Sequence, residues 1–201
     1  SGRIGGTIGA LWVKAGHEVI FSSRHPEQLK DMVAALGPLA RAGTVEQAIA
    51  AGDVIFVAVP YAALPEIGRD HAAALKGKIV LDACNAVATR DGAIAEEAER
   101  DGIGATSRKY LAGTRLVRAF NTLSYMTFAA EANRPEPRLA IPIAGDDPMA
   151  METAAALVRA AGFDPVIVGA LADARRFQRG APGYGQPVTA AEFRQKLSLP
   201  Q

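Results

Sequence analysis

The sequence predicts an α/β fold. The expected architecture is a doubly wound, mostly parallel sheet with helices on both faces, followed by a C-terminal α/β extension. Three observations predict it. A glycine-rich turn, Gly2-Arg3-Ile4-Gly5-Gly6-Thr7-Ile8-Gly9, runs directly into a helical pattern. Short continuous apolar runs then alternate with helical stretches, as parallel strands covered on both faces require. These runs end in small or polar residues (Ala58-Val59-Pro60, Asn85, Asn121-Thr122), at the strand ends where open parallel sheets hold ligands.

The opening stretch, from Ser1 to Gly9, matches the tail of the dinucleotide-binding pattern G-x-G-x-x-G, which a small residue follows four positions on. Gly2 and Gly5 take the second and third glycine places, and Gly9 the small place on the next helical turn. The second glycine lets a pyrophosphate approach the backbone, and the third lets helix and strand pack closely. The helix that follows presents its free N–H groups and positive end to the phosphates. The first glycine and the strand before it are absent from the sequence, and in a doubly wound sheet that strand is central. An apolar run of about five residues ending in glycine is therefore expected upstream of Ser1.

Ala10 to Ala15 continues the helix, Gly16-His17 ends it, and Glu18 to Phe21 is a short strand. Ser22-Ser23-Arg24 follows, where an NAD enzyme carries an acidic residue for the adenosine ribose. Two hydroxyls and a guanidinium suit a 2′-phosphate instead, since the guanidinium can bond it as a fork. The same residues also serve as a polar turn capping the next helix. That helix is expected over 27–38, a short strand over 39–44 and a helix over 45–51. The clearest strand is 53–60. Its end, Ala58-Val59-Pro60, should lie beside the cofactor, although Pro60 also acts as a simple strand stop.

A helix over 62–75 and a strand over 78–85 come next. Asn85 falls at the carboxyl edge, within reach of a ribose or carboxamide, and Cys84 reads as a small buried filler. Residues 92–100 are helical and 108–113 a polar approach to the strand 116–123. Asn121 and Thr122 at the end of that strand either cap the helix 124–133 or hold a substrate or the nicotinamide amide. Pro142 inside the strand 139–145 argues for an edge position or a bulge. Asp146-Asp147-Pro148 starts the helix 149–161. A last strand (165–168), a helical stretch (171–178), a Gly/Pro-rich loop and a terminal helix (189–197) complete the chain. The chain divides into a dinucleotide-binding core, 1–122, and an extension, 123–201, that completes the sheet and carries the acceptor and dimer surface; the two can also count as one domain.

Composition narrows the function. A formal net charge of +1 gives no basis for a nucleic-acid partner. No apolar run approaches the roughly 20 residues of a membrane helix, so no membrane partner is expected. A single cysteine excludes an internal disulfide and a cysteine-based metal cluster, and the three histidines show no ligand spacing. No metal is expected, and the reduced cytoplasm is the expected compartment. No Ser-Tyr-Lys or His-Asp set is present, so no catalytic acid–base residue is assigned.

On Ser23-Arg24, Val117-Arg118-Ala119-Phe120-Asn121-Thr122 and Ala144-Gly145-Asp146-Asp147-Pro148, the chain resembles the NADPH:deazaflavin (coenzyme F-420) oxidoreductase family. The Rossmann module of that family also occurs in the cytosolic part of some metalloreductases. The resemblance implies an NADP(H)-dependent enzyme that exchanges hydride with a small-molecule electron acceptor, a deazaflavin or flavin. It implies that Gly2, Arg3, Ile4 and Gly5 cradle the pyrophosphate, and that Ser22, Ser23 and Arg24 hold the 2′-phosphate. It further implies that Ala58, Val59 and Pro60 flank the cofactor, that Ala144 and Gly145 lie by the nicotinamide, and that Asn121 and Thr122 line the acceptor pocket. A homodimer formed through the C-terminal part is the implied assembly. The alternatives from the residues alone are a dehydrogenase of a small imine or carbonyl, and a non-catalytic NADP-binding sensor.

Overall fold

The structure, a computed structural model, describes residues 2–200; Ser1, the first residue of the expected glycine turn, lies outside them. The chain runs α1 (Arg3–Lys14), β1 (Val19–Ser22), α2 (Lys30–Leu36), β2 (Ala40–Gly43), α3 (Val45–Ala51) and β3 (Val54–Val57). It continues through α4 (Leu64–Asp70), α5 (Ala72–Leu75), β4 (Ile79–Asp82), α6 (Ala88–Asp91), α7 (Ala93–Asp101), α8 (Ile103–Tyr110) and β5 (Arg115–Arg118). It closes with α9 (Tyr125–Glu131), β6 (Ala140–Gly145), α10 (Pro148–Ala160), β7 (Asp164–Gly169) and α11 (Ala190–Lys196).

The strands form two sheets. β1 and β2 pair in parallel, and β3-β4-β5-β6-β7 form a five-stranded sheet in which only the β5–β6 pair is antiparallel. Among the described residues β1 pairs only with β2, and β3 pairs on one side only, with β4. In a doubly wound order the strand before the glycine turn lies between these two. No described strand takes that place, so the side chains of β1 and β3 keep more exposure than a central strand allows.

Alternation along the strands builds a core on each face of the larger sheet. Val80 and Leu116 face one cluster with Tyr61, Leu64, Ile103 and Phe177; Leu81 and Val117 face the other with Ile8, Trp12, Phe120 and Phe163. In the second cluster Phe56, Trp12, Phe120, Phe128 and Phe163 pack edge to face, neighbouring centroids 5.1–5.9 Å apart. Each such pair adds about 0.5–1.5 kcal/mol beyond its burial. This aromatic row fixes α1 against α9. The indole of Trp12 also donates to the Leu157 carbonyl at 2.8 Å, tying α1 to α10.

Several expectations are corrected. The helix expected over 62–75 is two short helices, broken at His71, which leaves helical geometry. Residues 103–110 form α8, which the glycine and β-branched content of Ile103-Gly104-Ala105-Thr106 disguises. Gly104 packs so tightly that a Cβ there would collide with the Leu171 carbonyl. Pro142 does not mark an edge, because β6 lies between β5 and β7 and is buried throughout; the bulge alternative agrees with a register shift against β7 between Ile143 and Ala144. Its missing N–H is tolerated because β5 pairs with β6 only at Val117↔Gly145 and Arg118↔Ala144, beyond Pro142. β6 and β7 continue the same sheet as β3.

Candidate functional site

The carboxyl ends of β1, β3, β4 and β5 and the start of α1 converge on one edge. Gly2 is the N-cap of α1, with no side-chain cap bond and no acidic residue in the first turn. The first N–H groups of this helix are therefore left for an anion, at the positive end of its dipole. A Cβ added to Gly2 would lie 4.0 Å from the Ala58 carbonyl, so the turn sits over the end of β3. One turn further on, Gly9 meets β1 so closely that a Cβ would enter the ring of Phe21. That is the helix–strand contact for which the fingerprint reserves a small residue.

Ser22 ends β1 and Ser23 starts the loop, its hydroxyl accepting from the His25 N–H at 3.0 Å. Arg24 is exposed and forms no ion pair among the described residues. Arg3, Ile4 and Gly5 make the first turn of α1. These positions suit a dinucleotide phosphorylated on its ribose. An uncapped helix end suits the pyrophosphate, and an exposed cation flanked by hydroxyls suits the 2′-phosphate.

A buried network shapes the edge between them. Asp82 and Arg118 lie side by side in register on β4 and β5, with no exposed surface. Oδ1 of Asp82 accepts the Cys84 N–H at 2.8 Å, and Nη2 of Arg118 donates to the Cys84 carbonyl at 2.6 Å. Both backbone groups before Asn85 are thereby fixed. Asn85 Nδ2 donates to the Asn121 carbonyl at 2.7 Å, joining the ends of β4 and β5. The next loop is organised by Asp91, whose buried carboxylate accepts from the N–H groups of Val87 at 2.8 Å and Ala62 at 3.2 Å. Burial works to raise the pKa of Asp91, but the Arg90 guanidinium and those backbone donors outweigh it and hold the group below the ordinary value.

The β5 end is strained. Phe120 has φ 59°, in the left-handed region, and is buried in the aromatic row. For a bulky residue this conformation costs about 1–3 kcal/mol and persists only where the surroundings impose it. It turns the chain so that Asn121 and Thr122 face the C-terminal segment. Nδ2 of Asn121 donates to the Phe177 carbonyl at 3.1 Å, and the Thr122 carbonyl accepts from Gly185 at 2.9 Å. Both residues are buried, and Oδ1 of Asn121 has no hydrogen-bond partner among the described residues. They lie beside the site under the loop around 177–185, while Ser124 takes the capping role on α9.

Ala58, Val59 and Pro60 follow β3, which is shorter than the expected 53–60, at this edge. Ala144 pairs with Arg118, the last residue of β5, and Gly145 with Val117. β6 runs antiparallel to β5, and both residues are buried between β5 and β7. Asp147, two residues on, bonds Arg115 at the start of β5, at the opposite side of the sheet. Sequence reasoning missed Asp82, Asp91 and the strained Phe120. The charges closing two apolar strands were the one available signal for the first.

The thiol of Cys84 lies between β3 and β4, against the Val57 carbonyl and Val59 N–H, each at 3.5 Å. Burial above all, with the Asp82 carboxylate adding to it, pushes the thiol well above its usual range. Tyr61 is fully buried, with its hydroxyl bonded to Ser107 at 3.0 Å and to the Ile103 carbonyl at 3.2 Å. Burial raises its pKa, and the hydroxyl is committed to these internal partners rather than turned to the edge.

Residues 1–86 match the family model described as NADP oxidoreductase, coenzyme F420-dependent. The chain is 31% identical over 203 residues to the metalloreductase STEAP3 of Rattus norvegicus, covering 95% of this chain and 38% of that protein. It spans under two-fifths of the length of the curated relatives it matches. Among solved structures, the hypothetical protein SMa0349 of Sinorhizobium meliloti superimposes with TM-score 0.78 and 26% identity, over 94% of this chain and 92% of that one. A proposed F420-dependent NADP reductase from Arthrobacter sp. FB24 gives TM-score 0.73 at 20% identity, over 87% and 84%, a likeness of fold. Over residues 1–86 the chain is similar to the coenzyme F420-dependent NADP oxidoreductase family.

Proposed function

We propose that this protein is an NADPH-dependent oxidoreductase that passes hydride between NADP(H) and a flavin-like acceptor, a deazaflavin or a flavin. The observation that carries this reading is the pair of anion seats on one edge: the uncapped start of α1 at Gly2, and Arg24 beyond Ser22 and Ser23. Bound NADPH supplies the hydride. The residues of the chain bind, orient and exclude water. Gly2 to Gly5 hold the pyrophosphate, Ser22 to Arg24 the 2′-phosphate, and Ala58, Val59 and Pro60 flank the cofactor. The Asp82–Arg118 pair and Asp91 fix the loops that carry Asn85 and Ala62. Asn121 and Thr122 border the acceptor side.

Tyr61 bears on the acceptor class. Tyr61, the aromatic hydroxyl next to the β3 end, is buried and committed to Ser107. With Tyr61 so committed, an acceptor that takes hydride without a protein acid fits the β3 end better than a carbonyl. Assembly as a cytoplasmic homodimer through the C-terminal part belongs to the same reading. The large apolar side chains Met126, Met149 and Ile167, 62%, 68% and 57% exposed, all lie in that part.

NADPH oxidation, followed by absorbance with deazaflavin, free flavin and ferric chelate in parallel and NADH as control, tests the reading. Turnover with NADPH and a flavin-like acceptor is expected. NADPH binding without turnover on any of them would favour a sensor, and turnover only with an imine or carbonyl would favour a dehydrogenase.

A further inference from the structure

Arg3 is the first residue of α1 and is exposed. Its guanidinium carbon lies 5.1 Å from the centroid of the Tyr125 ring, within cation–π range. No carboxylate pairs with Arg3 among the described residues, and the first turn of α1 has no acidic residue. A cation at the positive end of a helix is repelled by the dipole, so this placement is unfavourable until an anion arrives. Tyr125, in turn, is held firmly. It opens α9, where Ser124 accepts from the Thr127 N–H at 3.1 Å. It also follows Asn121 and Thr122 by a few residues, and α9 packs on α1. The contact thus joins the glycine turn to the strand end on the acceptor side.

We propose that Tyr125 is a positioning residue for the nucleotide: its ring holds the Arg3 guanidinium beside the start of α1, where the guanidinium closes on the pyrophosphate. The inference rests on the dinucleotide reading above but not on the identity of the acceptor. The pyrophosphate is common to NADPH and NADH, so the contribution is the same for both. That separates it from Arg24, which meets only the 2′-phosphate.

The test measures the dissociation constants of the full chain for NADPH and NADH by quenching of Trp12, the single tryptophan. Inorganic pyrophosphate serves as the competing probe. Tyr125→Leu should weaken both nucleotides by the same factor, about three- to thirtyfold. Tyr125→Phe, which keeps the ring, should bind as wild type. In an Arg3→Ala background, Tyr125→Leu should have no further effect, and pyrophosphate should compete less well in either variant. Wild-type affinity in a folded Tyr125→Leu protein overturns the inference, as does an equal loss with and without Arg3, which marks a merely structural role. A wild-type chain that binds neither nucleotide overturns the function reading as well, so the two failures are distinguishable.

Discussion

Asp82 and Arg118 are register partners on β4 and β5, both without exposed surface, with Nη1 of the arginine 2.5 Å from Oδ2 of the aspartate. Together they grip the Cys84 backbone from both sides. Removing one partner leaves the other charge buried, which costs about 3–5 kcal/mol, whereas replacing both by apolar groups is often neutral. Arg118→Ala is therefore expected to lower unfolding free energy in urea by that amount. An Arg118→Met, Asp82→Leu double variant should recover most of the stability while still binding NADPH more weakly, because Asn85 is no longer placed.

Arg24 tests cofactor choice. Arg24→Ala should weaken NADPH by about 1.5–3 kcal/mol, the contribution of a hydrogen bond to a charged group, and leave NADH unchanged. Isothermal titration with each nucleotide checks it. Equal losses for both would remove Arg24 from the 2′-phosphate.

Gly9 tests the fingerprint by packing. A Cβ at this position enters the Phe21 ring, and α1 cannot withdraw without opening the row built on Trp12. Gly9→Ala should destabilise by about 1–3 kcal/mol, the usual cost of overpacking, in a thermal or urea melt.

Acid stability has a defined sign. Asp147 caps α10 and pairs with Arg115; that bond first, and the Ala150 N–H next, bring its pKa from 3.8 to about 2. A folded value below the unfolded one means the stabilisation is complete above about pH 4 and is lost as pH falls through about 2. Asn is as good a cap as Asp. Asp147→Asn should therefore be less stable than wild type at neutral pH, with the difference shrinking between about pH 4 and pH 2. Denaturation midpoints across that range measure it.

Cys84 should be inert. Its thiol is buried and its pKa raised by that burial and by Asp82, so little thiolate forms near neutrality. A disulfide-exchange reagent should label it only after unfolding. Rapid labelling of the native protein would show that the β3–β4 edge opens.

The layered fold was legible because its signals are local. The apolar runs around Val54 and Ile79, the glycines that begin and end α1, and the Asp147-Pro148 start of α10 each state their own element. The uncapped helix start at Gly2 and the exposed Arg24 beyond β1 were legible for the same reason, since a helix start and a strand end are read from adjacent residues. The rest needed contacts distant in sequence. Nothing near Asn121 announces that Phe177 and Gly185 cover it. The direction of β6, which sets Ala144 level with Arg118 at the end of β5, follows from pairing rather than pattern. Nor does any spacing join Arg3 to Tyr125.

The most direct test of the central claim is NADPH oxidation by the full chain with a deazaflavin acceptor, set against NADH under the same conditions. The account predicts turnover with NADPH that Arg24→Ala sharply reduces, and little with NADH. Equal turnover with both nucleotides, or tight NADPH binding with no oxidation on deazaflavin or flavin, would contradict it.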